Sequence, residues 1–231
     1  YENVCRGLDL LKDCTARPIV RSMITPDNVA LMPEMIETLH RRFPHVGYAL
    51  FDPITSKETF SDEKKTKVFY DLYYSKFIEA RALAAEYGID LACAPLRNLN
   101  MVVDRYCTGE FCLTPEGTIT ICHQISSPNE SNYEDFIYAR VSDDGRLEVD
   151  HDRFHLLIRR DTVYTNPKCA DCFIKWNCGG GCMMQNSQYS PEILDVICDF
   201  TRRFSKTLLF ERLDEQYRDA GESLDQYIAE Y

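Results

Sequence analysis

Helical and β-type hydrophobic repeats alternate along the first ninety residues of the chain. Apolar residues recur at the helical spacing in some runs, and β-prone residues cluster in the short runs between them. In chain order, helix alternates with strand at 1–12, 17–25, 31–43, 45–51 and 62–87. Ser61 is predicted to cap the third helix, and Gly88 to end it. This alternation predicts parallel strands covered by helices, and hence an α/β domain over residues 1–92.

The pattern changes in residues 93–231, which we predict form a second, α+β domain. Residues 90–106 read as a linker. Thr114-Pro115-Glu116-Gly117 is a turn signal between two β-prone runs, which predicts a hairpin. Further predicted elements are strands at 137–141 and 146–149, a helix capped by Asp150, a long helix at 192–219 and a short terminal helix capped by Ser223.

Composition narrows the possible partners. The formal net charge is −11, and no basic stripe is present, which argues against nucleic acid. No apolar run approaches the length that crosses a membrane, and no signal peptide is visible. The chain has 11 cysteines, an odd number. Because a secreted disulfide scaffold is short and its cysteine count is usually even, we expect a cytoplasmic protein whose reduced thiols hold metal.

The densest group of cysteines lies between residues 169 and 198. Five thiols stand there with gaps of two, five, three and fifteen residues, at Cys169, Cys172, Cys178, Cys182 and Cys198. Thiolates at short spacings select zinc or iron–sulfur clusters. The glycines 179–181 lack Cβ atoms, so we expect their backbone to approach a bulky cluster closely.

A second group lies upstream, around the predicted hairpin. It contains Cys107, Cys112 and Cys122, and the hairpin would return Cys122 towards Cys107. The two groups together supply eight cysteines, enough for two centres with four ligands each.

The cysteine spacings of the two groups resemble those of a known family. C-x9-G-x4-C from Cys107 to Cys122, followed by C-x2-C-x5-C-x3-C and a last cysteine, resembles the SPASM domain of radical S-adenosylmethionine (SAM) enzymes. The resemblance covers residues 93–198, and the preceding segment is similar to the C-terminal portion of the partial (β/α)6 barrel of those enzymes. The expected architecture is therefore a barrel portion over 1–92, followed by a small α+β SPASM domain with β-hairpins and a long C-terminal helix.

The resemblance implies two auxiliary 4Fe–4S clusters. One would be bound by Cys169, Cys172, Cys178 and Cys198, and the other by Cys107, Cys122 and Cys182. The fourth ligand of the latter is open. Cys112 is either that ligand or a buried core thiol, and Cys93 is a further candidate.

The resemblance also implies an activity. Such enzymes are oxidoreductases that abstract hydrogen from a peptide or protein substrate, with electrons from a donor such as flavodoxin or ferredoxin. The C-x3-C-x2-C motif of the SAM cluster is absent, so SAM and a third 4Fe–4S cluster are expected in a missing N-terminal part. This chain is then not competent by itself. The alternatives are a structural zinc module, with zinc also possible in aerobic preparations, and an iron–sulfur electron-transfer module without radical chemistry.

A few other residues are candidates for the site. His123 follows Cys122, at a position where sulfatase maturases carry a proton-accepting Asp, so it is a candidate catalytic residue or a structural one. Thr25, Asn28 and Asp52 follow predicted parallel strands, whose carboxyl ends line cofactor sites in α/β folds. His151 and His155 are four residues apart on one helix, and we expect them to be surface or packing residues.

Overall fold

The computed structural model describes residues 2–15, 17–130 and 132–219. Contacts divide it into two units. Residues up to Leu99 form the first unit together with those from Asp195 onward, and Asn100–Leu194 form the second. The sequence placed the boundary at 92/93 and the whole C-terminal helix in the second domain, whereas the helix from Asp195 onward groups with the first unit. The short terminal helix predicted at Ser223 lies outside the described residues.

The first unit contains a parallel sheet. Strands β1 (Ile19–Ile24), β2 (Tyr48–Pro53) and β3 (Asp90–Ala92) pair in the order β1-β2-β3. Ile19 aligns with Tyr48, which aligns in turn with Asp90. The predicted mixture of helices with parallel strands is confirmed. The linker predicted at 90–106 is wrong at its start, because β3 lies there and carries too few residues to show a repeat.

The helices of the first unit alternate with these strands along the chain. They are α1 (Glu2–Leu11), α2 (Met32–Arg42), α3 (Glu63–Glu86) and α4 (Ala94–Asn98). The predicted cap of α3 is off by one residue, because the Asp62 carboxylate rather than Ser61 accepts the Lys65 N–H, at 2.8 Å.

The long helix α9 (Pro191–Asp219) packs on α3 through aromatic rings. The Phe200 ring centroid lies 4.8 Å from that of Tyr70, and Phe204 lies 5.3 Å from Phe77. Tyr73, fully buried between them, donates its hydroxyl to the Phe51 carbonyl of β2 at 2.6 Å. Aromatic burial of this kind is a large share of a small core's stabilisation, which explains why α9 belongs to the first unit.

The second unit is built on an antiparallel sheet. Strands β4 (Cys112–Leu113), β5 (Thr118–Thr120), β6 (Ile137–Val141) and β7 (Leu147–Val149) pair in chain order. Its helices are α5 (Tyr133–Phe136), α6 (His151–Arg160), α7 (Lys175–Cys178) and α8 (Met183–Gln188). The predicted hairpins and the Asp150 cap of α6 are confirmed, the latter by a 2.8 Å bond from the Arg153 N–H.

None of the helices within the described ranges combines the length and the apolar character that crossing a membrane requires.

Candidate metal centre

The β4–β5 hairpin sets the positions of the upstream cysteines. The Gly117 N–H closes the turn on the Thr114 carbonyl at 3.0 Å, and Gly117 has φ +76°, which an L side chain would resist. Across the hairpin, Cys112 aligns with Thr120. Cys122, which follows β5, therefore lies at the same end of the hairpin as Cys107, which precedes β4.

Three cysteines from separate segments gather at the apolar core of the second unit. Cys122 is buried in this core, and Cys107 and Cys182 pack against it. Burial is the main reason that the pKa of Cys122 is raised to about 11, and the neighbouring Cys182 and Cys107 thiols are smaller contributors to that rise. Burial likewise raises the pKa of Cys182, again with a contribution from Cys107. The three thiols thus lie close enough to influence one another, although Cys107 and Cys182 are 75 positions apart in the sequence.

Backbone N–H groups point at two of these sulfurs. The amides of Gln185 and Met184, in the first turn of α8, favour the thiolate of Cys182 and partly offset its burial. The Gln124 amide does the same for Cys122. Hydrogen bonds of this type tune iron–sulfur centres and orient their ligands.

The glycine loop joins the two cysteine segments to each other. The Tyr106 N–H, next to Cys107, donates to the Gly179 carbonyl, next to Cys178, at 2.8 Å. A Cβ on Gly179 would overlap the Tyr106 nitrogen, and one on Gly180 would lie 2.9 Å from the Thr162 carbonyl carbon. Gly179 and Gly180 therefore make room for protein backbone, and the expected approach of this loop to a cluster stays a prediction.

Cys112 is half-buried, so it is not the core thiol that one alternative predicted. Its Sγ lies 3.6 Å from Glu110 Oε2, and its pKa is raised by burial and then by that carboxylate. Cys107 contributes as well, which places Cys112 near that one of the three grouped thiols.

Glu110, which no sequence pattern singled out, also contacts His123. His123 Nδ1 lies 2.6 Å from Glu110 Oε2, and this contact is the main reason that the pKa of Glu110 is lowered. The His123 side chain is 67% exposed. An isolated Glu before a strand gives no sequence signal, because its main partner, His123, comes from the opposite arm of the hairpin.

The downstream cysteines lie on a short turn-and-helix segment. The Cys172 N–H donates to the Cys169 carbonyl at 3.3 Å, and Cys178 ends α7. Cys169 is buried, whereas Cys172 and Cys178 are half-buried. Cys198, the fourth ligand implied by the resemblance, lies on α9 in the part that belongs to the first unit.

The other predicted site residues make bonds within the first unit. Asn28 Oδ1 accepts the Thr25 N–H at 2.8 Å. Asp52 is 7% exposed; one carboxylate oxygen accepts the Ala94 N–H at 2.8 Å, and the other lies 3.2 Å from Arg21. These contacts join strand ends to the following elements.

The exposure of the remaining candidates, Cys93, His151 and His155, indicates structural or surface roles. Cys93 is fully buried in the first unit, where burial raises its pKa to about 12. A thiol so strongly protonated in an apolar core is a structural residue. His151 and His155 are both exposed on α6.

A single zinc ion and a 4Fe–4S cluster require different spacings between their ligand sulfurs. Within residues 2–15, 17–130 and 132–219, no three Cys, His, Asp or Glu side chains are placed to hold one metal ion. Four sulfurs around one zinc ion lie about 3.8 Å apart, given the length of a Zn–S bond. In a 4Fe–4S cluster each thiolate binds a different iron, so the sulfurs stand farther apart. Cys107, Cys122 and Cys182 share apolar surroundings, and backbone amides hydrogen-bond to the sulfurs of Cys122 and Cys182.

No protein-family model, curated protein or solved structure matches the chain.

Proposed function

We propose that this chain is the C-terminal part of a radical SAM oxidoreductase that modifies a peptide or protein, and that it holds the auxiliary 4Fe–4S clusters of that enzyme. The spacing of the eight cysteines is the basis of this proposal. The observation that carries it is the grouping of Cys107, Cys122 and Cys182, since the same interleaved set follows from the resemblance.

The residues of the chain have distinct roles in this proposal. Cys107, Cys122 and Cys182 bind one cluster, with Cys112 as the nearest further thiol. The amides of Gln124, Met184 and Gln185 stabilise negative charge on the ligand sulfurs. Cys169, Cys172, Cys178 and Cys198 bind the other. When bound, such clusters supply one-electron redox chemistry, whose potential is set by burial and by hydrogen bonds to sulfur.

The first unit has a different place in the proposal. Its three parallel strands and covering helices would be the end of the partial (β/α)6 barrel, with SAM and the third cluster held by a part that precedes this chain. Thr25, Asn28 and Asp52 then stabilise the strand ends from which the SAM site is built. The peptide or protein substrate and an electron donor such as flavodoxin or ferredoxin are the proposed partners.

Metal and sulfide analysis of the anaerobically prepared protein tests the proposal. Two clusters predict about eight irons and about eight sulfides per chain, with a brown absorption band that bleaches on reduction. About four irons would mean that one ligand set is incomplete. Stoichiometric zinc without iron, even after anaerobic reconstitution, would reject the redox role and leave a structural zinc module.

A further inference from the structure

β4 forms one outer edge of the antiparallel sheet. The Glu110 and Thr114 N–H groups donate towards β5, at 3.1 and 2.9 Å, and Cys112 aligns with Thr120. Because alternate residues of an antiparallel strand bond to the same neighbour, the backbone groups of Phe111 and Leu113 face away from the sheet. In the part of the chain that the structure describes, no strand pairs with that side of β4.

The side chains on this edge are large and apolar. Phe111 is 62% exposed and Leu113 is 59% exposed. The two residues are two positions apart in an extended segment, so they lie on the same face. An exposed apolar edge of this kind is a template for pairing with another strand.

The opposite edge of the sheet, β7, differs in its charges. Leu147 is exposed there too, but Arg146 and Glu148 stand on either side of it, and Asp150 follows the strand. Charged side chains on an edge strand oppose pairing. The run from Phe111 to Leu113 carries no charge, so β4 is the edge that favours a partner.

Acidic residues mark both ends of the β4 edge. Glu110, whose Oε2 lies 2.6 Å from His123 Nδ1, precedes Phe111, and the exposed Glu116 lies in the turn beyond Leu113. The chain as a whole has a formal net charge of −11. Charge complementarity therefore favours a partner with basic residues on either side of an apolar segment.

We infer that the β4 edge binds an extended peptide segment, which adds a strand beside Phe111 and Leu113. Alternate apolar side chains of the peptide pack on these two residues, and its flanking Lys or Arg side chains lie near Glu110 and Glu116. This mode of recognition takes affinity from backbone hydrogen bonds and specificity from alternate side chains. The identification of the peptide with the substrate rests on the proposed function, since Cys112 on the same strand lies near the grouped thiols.

The first test uses wild-type protein and a synthetic probe. A short fluorescent peptide that alternates valine and threonine between lysine ends is titrated in fluorescence anisotropy. A second peptide with N-methyl groups on alternate backbone nitrogens keeps the side chains and removes the strand-pairing donors. We expect it to bind about tenfold more weakly, the loss expected for one or two hydrogen bonds. A third peptide with glutamate ends should also bind more weakly.

Matched proline variants locate the site. Leu113→Pro removes an outward N–H without removing a bond to β5, and Leu147→Pro makes the corresponding change on β7. Leu113→Pro should weaken binding of the lysine-ended peptide about tenfold, with little effect from Leu147→Pro. Circular dichroism checks the folding of both. Should Leu113→Pro not fold, Leu113→Thr keeps the strand and removes only the apolar contact.

Four results would overturn the inference: no saturable binding of the lysine-ended peptide, equal binding of the N-methylated peptide, equal effects of the two proline variants, or dimerisation of wild type that Leu113→Pro abolishes. The last would assign the edge to a second copy. Iron analysis of the same samples is independent of all four. Peptide binding by a protein that cannot take up iron would support the edge site and reject the proposed redox function.

Discussion

The N–H of Tyr106 donates to the carbonyl of Gly179 at 2.8 Å. This bond joins the neighbour of Cys107 to the neighbour of Cys178, and so holds the two cysteine segments together. It requires glycine, because a Cβ at position 179 would overlap the backbone of Arg105 and Tyr106.

Gly179→Ala should therefore destabilise the protein strongly. The residue has φ +67°, which costs an alanine about 1 kcal/mol, and the overlap with rigid backbone adds about 2 kcal/mol or more. Gly145→Ala is the matched control, since Gly145 has φ +80° with open space where the Cβ would lie. Urea unfolding of both variants separates the cost of the positive φ, which they share, from the cost of the overlap, which only Gly179→Ala has. Equal losses of stability would contradict the close backbone contact.

Cys93 should be inert in the native protein. Its pKa of about 12 leaves about one thiolate in ten thousand at pH 8, and its side chain is fully buried. Iodoacetamide followed by peptide mass mapping should modify the exposed Cys14 first and Cys93 only on unfolding. Native labelling of Cys93 at the rate of Cys14 would show that it does not lie in the core.

Asp52 should matter for stability whether or not SAM binds nearby. Asp52→Ala removes the acceptor for the Ala94 N–H and the partner of Arg21, at a cost of about 2 kcal/mol. Asp52→Asn keeps an acceptor oxygen and should cost less. The exposed Asp27 offers a control through Asp27→Ala, which we expect to be neutral. Thermal unfolding measures all three, and an unchanged melting temperature for Asp52→Ala would refute this role.

Asp71 should contribute stability that depends on pH. Its hydrogen bond with Lys67, followed by that with Arg203, lowers the pKa of Asp71 in the folded protein. The contribution is therefore present above the unfolded pKa of about 4 and is lost as the pH falls through the folded value. Because the carboxylate is 38% exposed, Asp71→Asn should cost at most about 1 kcal/mol at pH 7.

Urea unfolding at pH 7 and at pH 3 measures this effect. The difference between wild type and Asp71→Asn should shrink at the lower pH. Glu86→Gln, a change at an exposed position on the same helix, corrects for general effects of acid. A cost for Asp71→Asn that is the same at both values of pH would mean that packing, not charge, is responsible.

Local signals in the sequence predict much of the fold. Pro115 and Gly117 predict the turn between β4 and β5, and Asp150 predicts the start of α6, because backbone geometry at these points depends on few neighbours. The failures have the opposite cause. β3 is three residues long and is defined by pairing with β2. The boundary predicted at 92/93 missed the aromatic packing that joins the later part of α9 to α3.

In the candidate site too, local features could be predicted from the sequence and features that depend on tertiary packing could not. The turn signal predicts that the hairpin returns Cys122 towards Cys107. The addition of Cys182 to this group is implied by the family resemblance, and the structure packs all three cysteines at one core. Glu110 could not be predicted, because its contact with His123 depends on how the two arms of the hairpin pair. The glycine loop was predicted to face a cluster, and only its packing against Tyr106 and Thr162 shows what the missing side chains make room for.

The central claim is that Cys107, Cys122 and Cys182 hold one iron–sulfur cluster, and iron content tests it most directly. The comparison is between Cys182→Ala and Cys93→Ala, the same change inside and outside the thiol group, after anaerobic reconstitution. Cys182→Ala should lose about four irons per chain, and Cys93→Ala should retain the wild-type amount. If Cys182→Ala keeps all the iron of wild type, Cys182 is not a ligand and the grouped thiols are only part of the core.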